Sequence, residues 1–307
     1  MKILLLGAHG QLGQTFIAHG GLASRGALVA ASRDGRAPEG IRGVQADLAD
    51  QDALLAVLDT ERPDLIVNAA AYTAVDKAEA DEAMATAVNG DAPGTLGRWA
   101  GAHGALVVHY STDYVFAGDA QSPYEPDADT GPQGAYGRSK LAGERGLEAS
   151  AADHLILRTA WVYSPVGHNF LKTMLRLGAE RDELKVVADQ RGTPTTTALI
   201  VEGSLTAIDR CMAASDRSSL TGTYHLTASG ETTWHGFADA IFDEAIVAGL
   251  LARRPVVRPI GTADFPTPAR RPAYSVLDNR SFAQTFRHDL PDWRAGLHDI
   301  VHSLASP

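Results

Sequence analysis

The sequence predicts an α/β fold, a doubly wound parallel sheet with a second, smaller C-terminal substrate-binding domain, and two observations carry the prediction. Short apolar runs at residues 3–6, 28–31, 65–68, 106–110 and 155–157, with a briefer one at 44–46, alternate with helix-compatible stretches around 11–19, 52–60, 82–102 and 136–149. Strand and helix in alternation imply right-handed crossovers and a parallel sheet covered on both faces. The first apolar run also opens directly onto glycines at 7, 10 and 13. Glycine there permits a tight turn, lets the backbone approach a pyrophosphate, and lets the next helix pack closely with its N-terminus toward the phosphate.

Ligands of such sheets bind beyond the carboxyl ends of the strands, so each strand end is a candidate site. The first turn offers Gly7, Gly10, Gln11 and Leu12, which predicts a Rossmann-type NAD(P)-binding domain over residues 1–160. The second strand ends Ala30-Ala31-Ser32-Arg33. An acidic residue there would bond a ribose 2′-hydroxyl and repel a 2′-phosphate, whereas Ser32 and Arg33 suit the phosphate and favour NADPH. Asp34, one residue on, could pair with Arg33 or accept a ribose hydroxyl, which keeps NADH open. Asp47 and Leu48 follow the third strand, with Asp47 placed to orient the adenine, and Ala69, Ala70 and Ala71 follow the fourth.

Ser111, Thr112 and Asp113 end the fifth strand, Ser111 reading as a hydroxyl that caps backbone. The next helix carries Tyr136 and Lys140 four residues apart, one turn from each other on one face, where the ammonium can lie beside the phenol. A free tyrosine has a pKa of about 10, and bringing it near 7 asks for about 4 kcal/mol of preferential stabilisation of phenolate. Lys140 can supply part of that. Reducing a ketone needs a hydride on carbon and a proton on oxygen; Tyr136 as donor, Lys140 as its charge partner and Thr112 on the carbonyl oxygen would serve the second half. The polar, Pro- and Asp-rich connection between residues 118 and 134 reads as a lid.

After about residue 160 the alternation loosens, with helices predicted at 170–181, 198–213 and 234–248 and a Pro-rich region from 254 to 272. These predict an interleaved substrate-binding domain over 161–307, with the chain returning to the nucleotide domain around 195–230.

Composition narrows the class. The 307 residues are 45% apolar and 21% charged, as in ordinary globular proteins. No apolar run approaches the ~18 residues that span a bilayer, and the N-terminus carries no cleavable signal pattern. The single cysteine, Cys211, rules out an internal disulfide or a Cys-based metal site and fits a reducing compartment, so a cytoplasmic protein is expected. A net charge of −10 argues against nucleic acid and acidic membranes as partners. The eleven histidines form no spaced ligand set, His9 and His109 reading as loop or strand-end residues, and no metal is expected.

The glycine turn, Asn68-Ala69-Ala70-Ala71-Tyr72-Thr73-Ala74-Val75-Asp76, His109-Tyr110-Ser111-Thr112-Asp113-Tyr114-Val115-Phe116 and the Tyr136/Lys140 pair resemble the extended short-chain dehydrogenase/reductases. Arg158-Thr159-Ala160-Trp161, Asn169-Phe170, Asp189-Gln190-Arg191-Gly192-Thr193-Pro194-Thr195, Tyr224-His225-Leu226 and Pro268-Ala269-Arg270-Arg271-Pro272 extend the likeness along nearly the whole chain. Within that superfamily the chain is most similar to the dTDP-4-dehydrorhamnose reductase family. The resemblance implies NADPH-dependent reduction of the 4-keto group of dTDP-4-dehydro-β-L-rhamnose to dTDP-β-L-rhamnose, the last step of dTDP-rhamnose biosynthesis. It implies that Lys140 also holds the nicotinamide ribose, and that Thr112 stands where the wider superfamily often has serine. It further implies substrate contacts at Thr73, Val75, Asp113, Tyr114, Trp161, Asn169 and Arg271, with Gln190 and Pro194 lining the same side. A nucleotide-sugar substrate carries a pyrophosphate, for which Arg271 and Lys172 are the basic candidates.

One departure stands out. Metal-bridged dimers of this family use two glutamates where this chain has Thr15 and Ala198, neither of which can hold Mg²⁺; a monomer or a weak metal-independent dimer is expected. Two other readings stay open: a nucleotide-sugar epimerase or dehydratase that recycles bound NAD⁺, and a non-catalytic NADP-binding regulatory subunit. Loss of the triad would favour the latter, and Thr112, Tyr136 and Lys140 are all present.

Overall fold

The run Ile3-Leu4-Leu5-Leu6 has no solvent exposure because it forms β1 (Lys2–Leu6), a central strand paired on both sides. The computed structural model describes residues 1–305. From β1 the chain continues through α1 (Gln11–His19), β2 (Ala27–Ser32), β3 (Arg42–Gln45), α2 (Gln51–Glu61) and β4 (Leu65–Asn68). Then come the short α3 (Val75–Ala78) and α4 (Glu82–Thr86), α5 (Ala92–His103), β5 (Leu106–Thr112), α6 (Ala135–Glu148) and β6 (His154–Thr159). β7 (Val162–Tyr163), α7 (Phe170–Glu180), β8 (Glu183–Val187), β9 (Arg191–Gly192), β10 (Thr195–Thr196) and α8 (Thr197–Ala213) follow, and β11 (Gly222–His225) then pairs with β6. The sheet runs β11-β6-β5-β4-β1-β2-β3, with every pairing parallel. The chain moves outward from β1 to β3 and returns at β4 on the other side of β1, which puts the topological switch point between β1 and β4.

Alternate strand residues feed two cores. Leu4, Leu6, Ile66, Val107 and Ile156 pack with Leu54 and Leu58 of α2 and with Leu96 and Trp99 of α5. Ile3, Leu5, Val67, Val108 and Leu157 pack with Phe16 of α1 and Ile200 and Leu205 of α8. Full burial of a side chain of this size contributes about 1.5–3 kcal/mol, so runs apolar at every position are stable only when both faces are covered. The remainder comprises β12 (Thr232–Thr233), α9 (Trp234–Val247), β13 (Val256–Ile260), α10 (Arg280–Phe286) and α11 (Trp293–Ala305). Three two-stranded sheets join β10 to β7, β12 to β9 and β13 to β8. No helix among the described residues is long and apolar enough to cross a membrane.

Three segments differ from the sequence reading. The helix expected over 82–102 is interrupted by a π-helical turn at Ala87–Asp91, because Pro93 has no N–H to return to the carbonyl four residues back. The Pro-rich region holds β13, which tolerates Pro259 because it belongs to a sheet of only two strands. The connection read as a lid is anchored at its middle. Tyr124 stacks on Phe116 at 4.3 Å, and its hydroxyl accepts hydrogen bonds from the N–H groups of Gly118, Asp119 and Ala120 at 2.9, 3.0 and 3.1 Å.

Candidate active site

The turn after β1 and the loop after β4 touch at the switch point. Gly7 has φ +83°, and a Cβ there would stand 2.6 Å from the Ala70 nitrogen, so only glycine lets residues 69–71 come this close. Gly10 caps α1 without a side-chain hydrogen bond, which leaves the first amides of Gln11 and Leu12 without a capping side chain at the positive end of the helix, where an anion could be held. At the end of β2, Ser32 Oγ lies 2.9 Å from both Asp34 Oδ1 and the Arg36 carbonyl and so holds its own turn. Asp34 sits 3.4 Å from His9 Nε2 and 3.8 Å from Arg36 Nε, and not in a pair with Arg33. The exposed Arg33 guanidinium has no ion pair or side-chain hydrogen bond among the described residues. Asp47 is exposed and accepts from Ala49 N–H at 3.0 Å, while Leu48 buries its side chain in the core and leaves only backbone for a ligand.

At the end of β5, Thr112 Oγ1 accepts from Tyr114 N–H at 3.2 Å and donates to Asp113 Oδ1 at 2.9 Å. The capping expected of Ser111 is therefore done by Thr112, and Ser111 Oγ has no hydrogen-bond partner among the described residues. Strand alternation places the two hydroxyls on opposite faces, and only one can meet the turn that follows. Tyr136 stands in the first turn of α6 with its ring edge-on to Tyr114 at 5.6 Å. Burial above all, with the Asp113 charge adding to it, pushes the phenol up to about 12, while the Thr112 hydroxyl beside it pulls the other way. Burial likewise pushes Asp113, only 2% exposed, up to about 6.

Lys140 is seated on β5 in this structure. Its ammonium donates to the Tyr110 carbonyl at 2.6 Å and lies 3.3 Å from His109 Nε2, because a buried cation takes the strong acceptor nearest beneath it. Burial brings it down to about 8, opposed by Glu144 one turn further along α6. Glu144 is already held at 2.7 and 2.9 Å by both arms of the Arg158 guanidinium, so little of its charge is left for Lys140.

Two residues to which the sequence reading gave no role in the site brace this constellation. Asn89, in the π-helical turn, accepts from Tyr72 N–H at 2.8 Å and donates to the Tyr72 carbonyl and to Ser139 Oγ at 3.1 and 3.0 Å. It thereby fixes the loop after β4 against α6; the proline inside a helical pattern was the available signal. His109, read as a strand-end residue, is buried between Lys140 and Asn68, whose Nδ2 lies 3.1 Å from His109 Nδ1. Burial and the Lys140 charge hold it well below the usual histidine value.

Among the residues expected to meet a substrate, Trp161 follows β6 with φ +47° and stacks on Trp234 at 3.5 Å, the planes 5° apart. A Cβ on Gly192 would stand 2.4 Å from that indole. Arg271 donates to Asp76 at 2.8 Å, and Asp76 also accepts from Ala269 N–H at 3.1 Å, which ties the 268–272 motif to α3, where Val75 and Asp76 sit just after Thr73. Tyr114 feels the charges of Asp113, Arg271 and Asp76, so these groups share one crevice with Tyr136. Asn169 is engaged internally: its Nδ2 donates to Gln11 Oε1 and to the Ser164 carbonyl, both at 2.8 Å, and its Oδ1 caps α7. It couples the cofactor turn to the substrate side instead of pointing a free amide at a ligand. Gln190 donates to Thr262 Oγ1 at 2.9 Å, and Lys172 is exposed on α7. Thr15 on α1 lies 2.8 Å from Thr197 Oγ1 at the start of α8, next to Ala198. Histidine spacing carries more than the sequence reading allowed, since His298 and His302, four apart on α11, gather with Glu244 of α9.

The family model described as RmlD substrate binding domain matches residues 1–306. The chain is 45% identical over 309 residues to a dTDP-4-dehydrorhamnose reductase of Burkholderia thailandensis, covering all of both proteins. It is 42% identical over 305 residues to the enzyme of the same description from Escherichia coli K12, covering 99% of this chain and 98% of that one. Two solved structures are similar throughout: a dTDP-4-dehydrorhamnose reductase from Clostridium acetobutylicum, with TM-score 0.83, 35% identity and full coverage of both chains, and one from Bacillus anthracis in complex with NADP. The latter has TM-score 0.84 and 32% identity over 97% of this chain and 98% of that one.

Proposed function

The chain belongs to the dTDP-4-dehydrorhamnose reductase family, and on that premise we propose that it reduces the 4-keto group of dTDP-4-dehydro-β-L-rhamnose with NADPH, giving dTDP-β-L-rhamnose in the last step of dTDP-rhamnose biosynthesis. The observation that carries the reading is the meeting of Thr112, Asp113 and Tyr136 in one crevice at the carboxyl end of β5, on a sheet whose switch-point turn packs Gly7 against the Ala69–Ala70 backbone. Gly7, Gly10, Gln11 and Leu12 would hold the pyrophosphate, Ser32 and Arg33 the 2′-phosphate, and Asp47, the Leu48 backbone and residues 69–71 the remainder. When bound, NADPH supplies the hydride.

The protein's own part is the proton. A phenol raised to about 12 is neutral at pH 7, as a proton donor must be, and it remains a stronger acid than the alcohol, so it can protonate the alkoxide that would form when hydride reaches the carbonyl carbon. The proton therefore moves from Tyr136 Oη to the substrate oxygen only as that oxygen becomes basic. Thr112 turns its hydroxyl from Asp113 to the same oxygen. Lys140, at about 8, is mostly cationic at pH 7 and stabilises the tyrosinate once it forms and the ribose hydroxyls beside it. Thr73, Val75, Asp113, Tyr114, Trp161 and Arg271 hold the nucleotide sugar, with Asn169 shaping that wall through Gln11. We place the enzyme in the cytoplasm as a monomer or weak metal-independent dimer.

The test is to incubate purified protein with dTDP-4-dehydrorhamnose and NADPH and to measure cofactor and sugar together. One NADPH oxidised for each dTDP-rhamnose formed is expected. Conversion of a nucleotide sugar without net NADPH loss would point to an epimerase or dehydratase, and binding without turnover to a regulatory subunit.

A further inference from the structure

Glu244 projects from α9, and α11 packs against that helix. His298 and His302 are one turn apart on α11 and therefore share a face. Both imidazoles approach the same carboxylate oxygen: His298 Nδ1 lies 3.0 Å and His302 Nε2 3.5 Å from Glu244 Oε2. The three ligand atoms all lie within 4.8 Å of one another. We propose that Glu244, His298 and His302 form a binding site for a first-row divalent transition metal, Zn²⁺ foremost, separate from the reductase crevice.

Geometry and donor chemistry agree. Around a tetrahedral cation with bonds of about 2.0–2.1 Å, ligand atoms stand roughly 3.3 Å apart; the two separations from Glu244, 3.0 and 3.5 Å, bracket that value, and the third is within 4.8 Å. Two imidazoles and one carboxylate suit zinc, nickel or copper and not magnesium or calcium, which take oxygen ligands. Without an ion, His298 Nδ1 is hydrogen-bonded to Glu244 Oε2 at 3.0 Å and the two rings stand 4.1 Å apart, centroid to centroid; a dication would take the place of the shared proton and leave both rings neutral. All three side chains keep solvent exposure, 31%, 57% and 39% for Glu244, His298 and His302, so water can fill the fourth position.

The site's consequence is mechanical. Glu244 lies ten residues along α9 from Trp234, about 15 Å down the helix axis, and so takes no part in hydride or proton transfer. A bound ion would fasten α11 to α9 and stabilise the fold by mass action.

Metal-stripped, tag-free protein titrated with Zn²⁺ against a chromophoric chelator should bind one ion per chain. His298→Ala, His302→Ala and Glu244→Gln should each weaken that binding by at least roughly 10–100-fold, the range for losing merely an outer partner of a ligand. Reductase turnover should stay at the wild-type level in all three, which shows that they fold. Zn²⁺ should raise the thermal midpoint of the wild type alone, and Mg²⁺ at equal concentration should raise neither. Binding below one equivalent, or binding unchanged in all three variants, would overturn the proposal.

Discussion

Asp113→Asn should make the protein more stable at neutral pH, with the gain disappearing in acid. The carboxyl group is 2% exposed, and burial is the main cause of its rise from 3.8 to about 6, only partly offset by hydrogen bonds from Ser275 and Thr112. Because the folded value lies above the unfolded one, the unfolded chain gives up its proton first. Stability is then greatest below about pH 4, falls as pH rises toward 6, and has lost the full contribution above that. A rise from 3.8 to about 6 corresponds to about 3 kcal/mol. Asparagine keeps the shape and an oxygen for the Thr112 hydroxyl but never ionises, so it should recover up to about 3 kcal/mol at pH 7.5 and close to nothing at pH 4. Urea unfolding followed by circular dichroism at both pH values reads this as a midpoint displacement at constant slope. A variant no more stable than wild type at pH 7.5, or one whose gain is equal at the two pH values, would show that Asp113 is not held ionised at a cost.

The remaining expectations concern the reaction. Tyr136→Phe keeps the ring and removes the proton donor, so turnover should fall roughly 10²–10⁴-fold with NADPH still bound; near-normal turnover would end the proposed role. Lys140 titrates at about 8, so turnover should decline as pH rises through that region, and Lys140→Arg should move the decline upward; an unchanged profile in the variant would assign it to another group. Arg33→Ala should weaken NADPH roughly ten- to a hundredfold, the worth of one charge-assisted hydrogen bond, and leave NADH nearly untouched. Equal losses for both cofactors would make Arg33 a structural residue.

The strands of the central sheet were legible because runs such as Leu65-Ile66-Val67 are apolar at every position, a pattern stable only with both sheet faces covered. The glycine turn was legible because Gly7 answers a local demand, a positive φ beside the Ala70 backbone. Lys140 shows where such reading stops. Spacing established that Tyr136 and Lys140 share a helix face, but the acceptor a long side chain takes depends on what lies beneath the helix, here the Tyr110 carbonyl and His109. The role of Asn89 is not local for the same reason, since its partners Tyr72 and Ser139 lie 17 and 50 residues away, and Glu244 meets the α11 histidines across more than fifty residues. The disagreement over Lys140 also sharpens the chemistry. A tyrosine acidified toward 7 would already have given up part of its proton before the ketone arrived, whereas the buried, neutral phenol keeps it. With the ammonium seated on β5 and the carboxylate of Asp113 nearby, this site favours the protonated tyrosine that the proposed proton transfer requires.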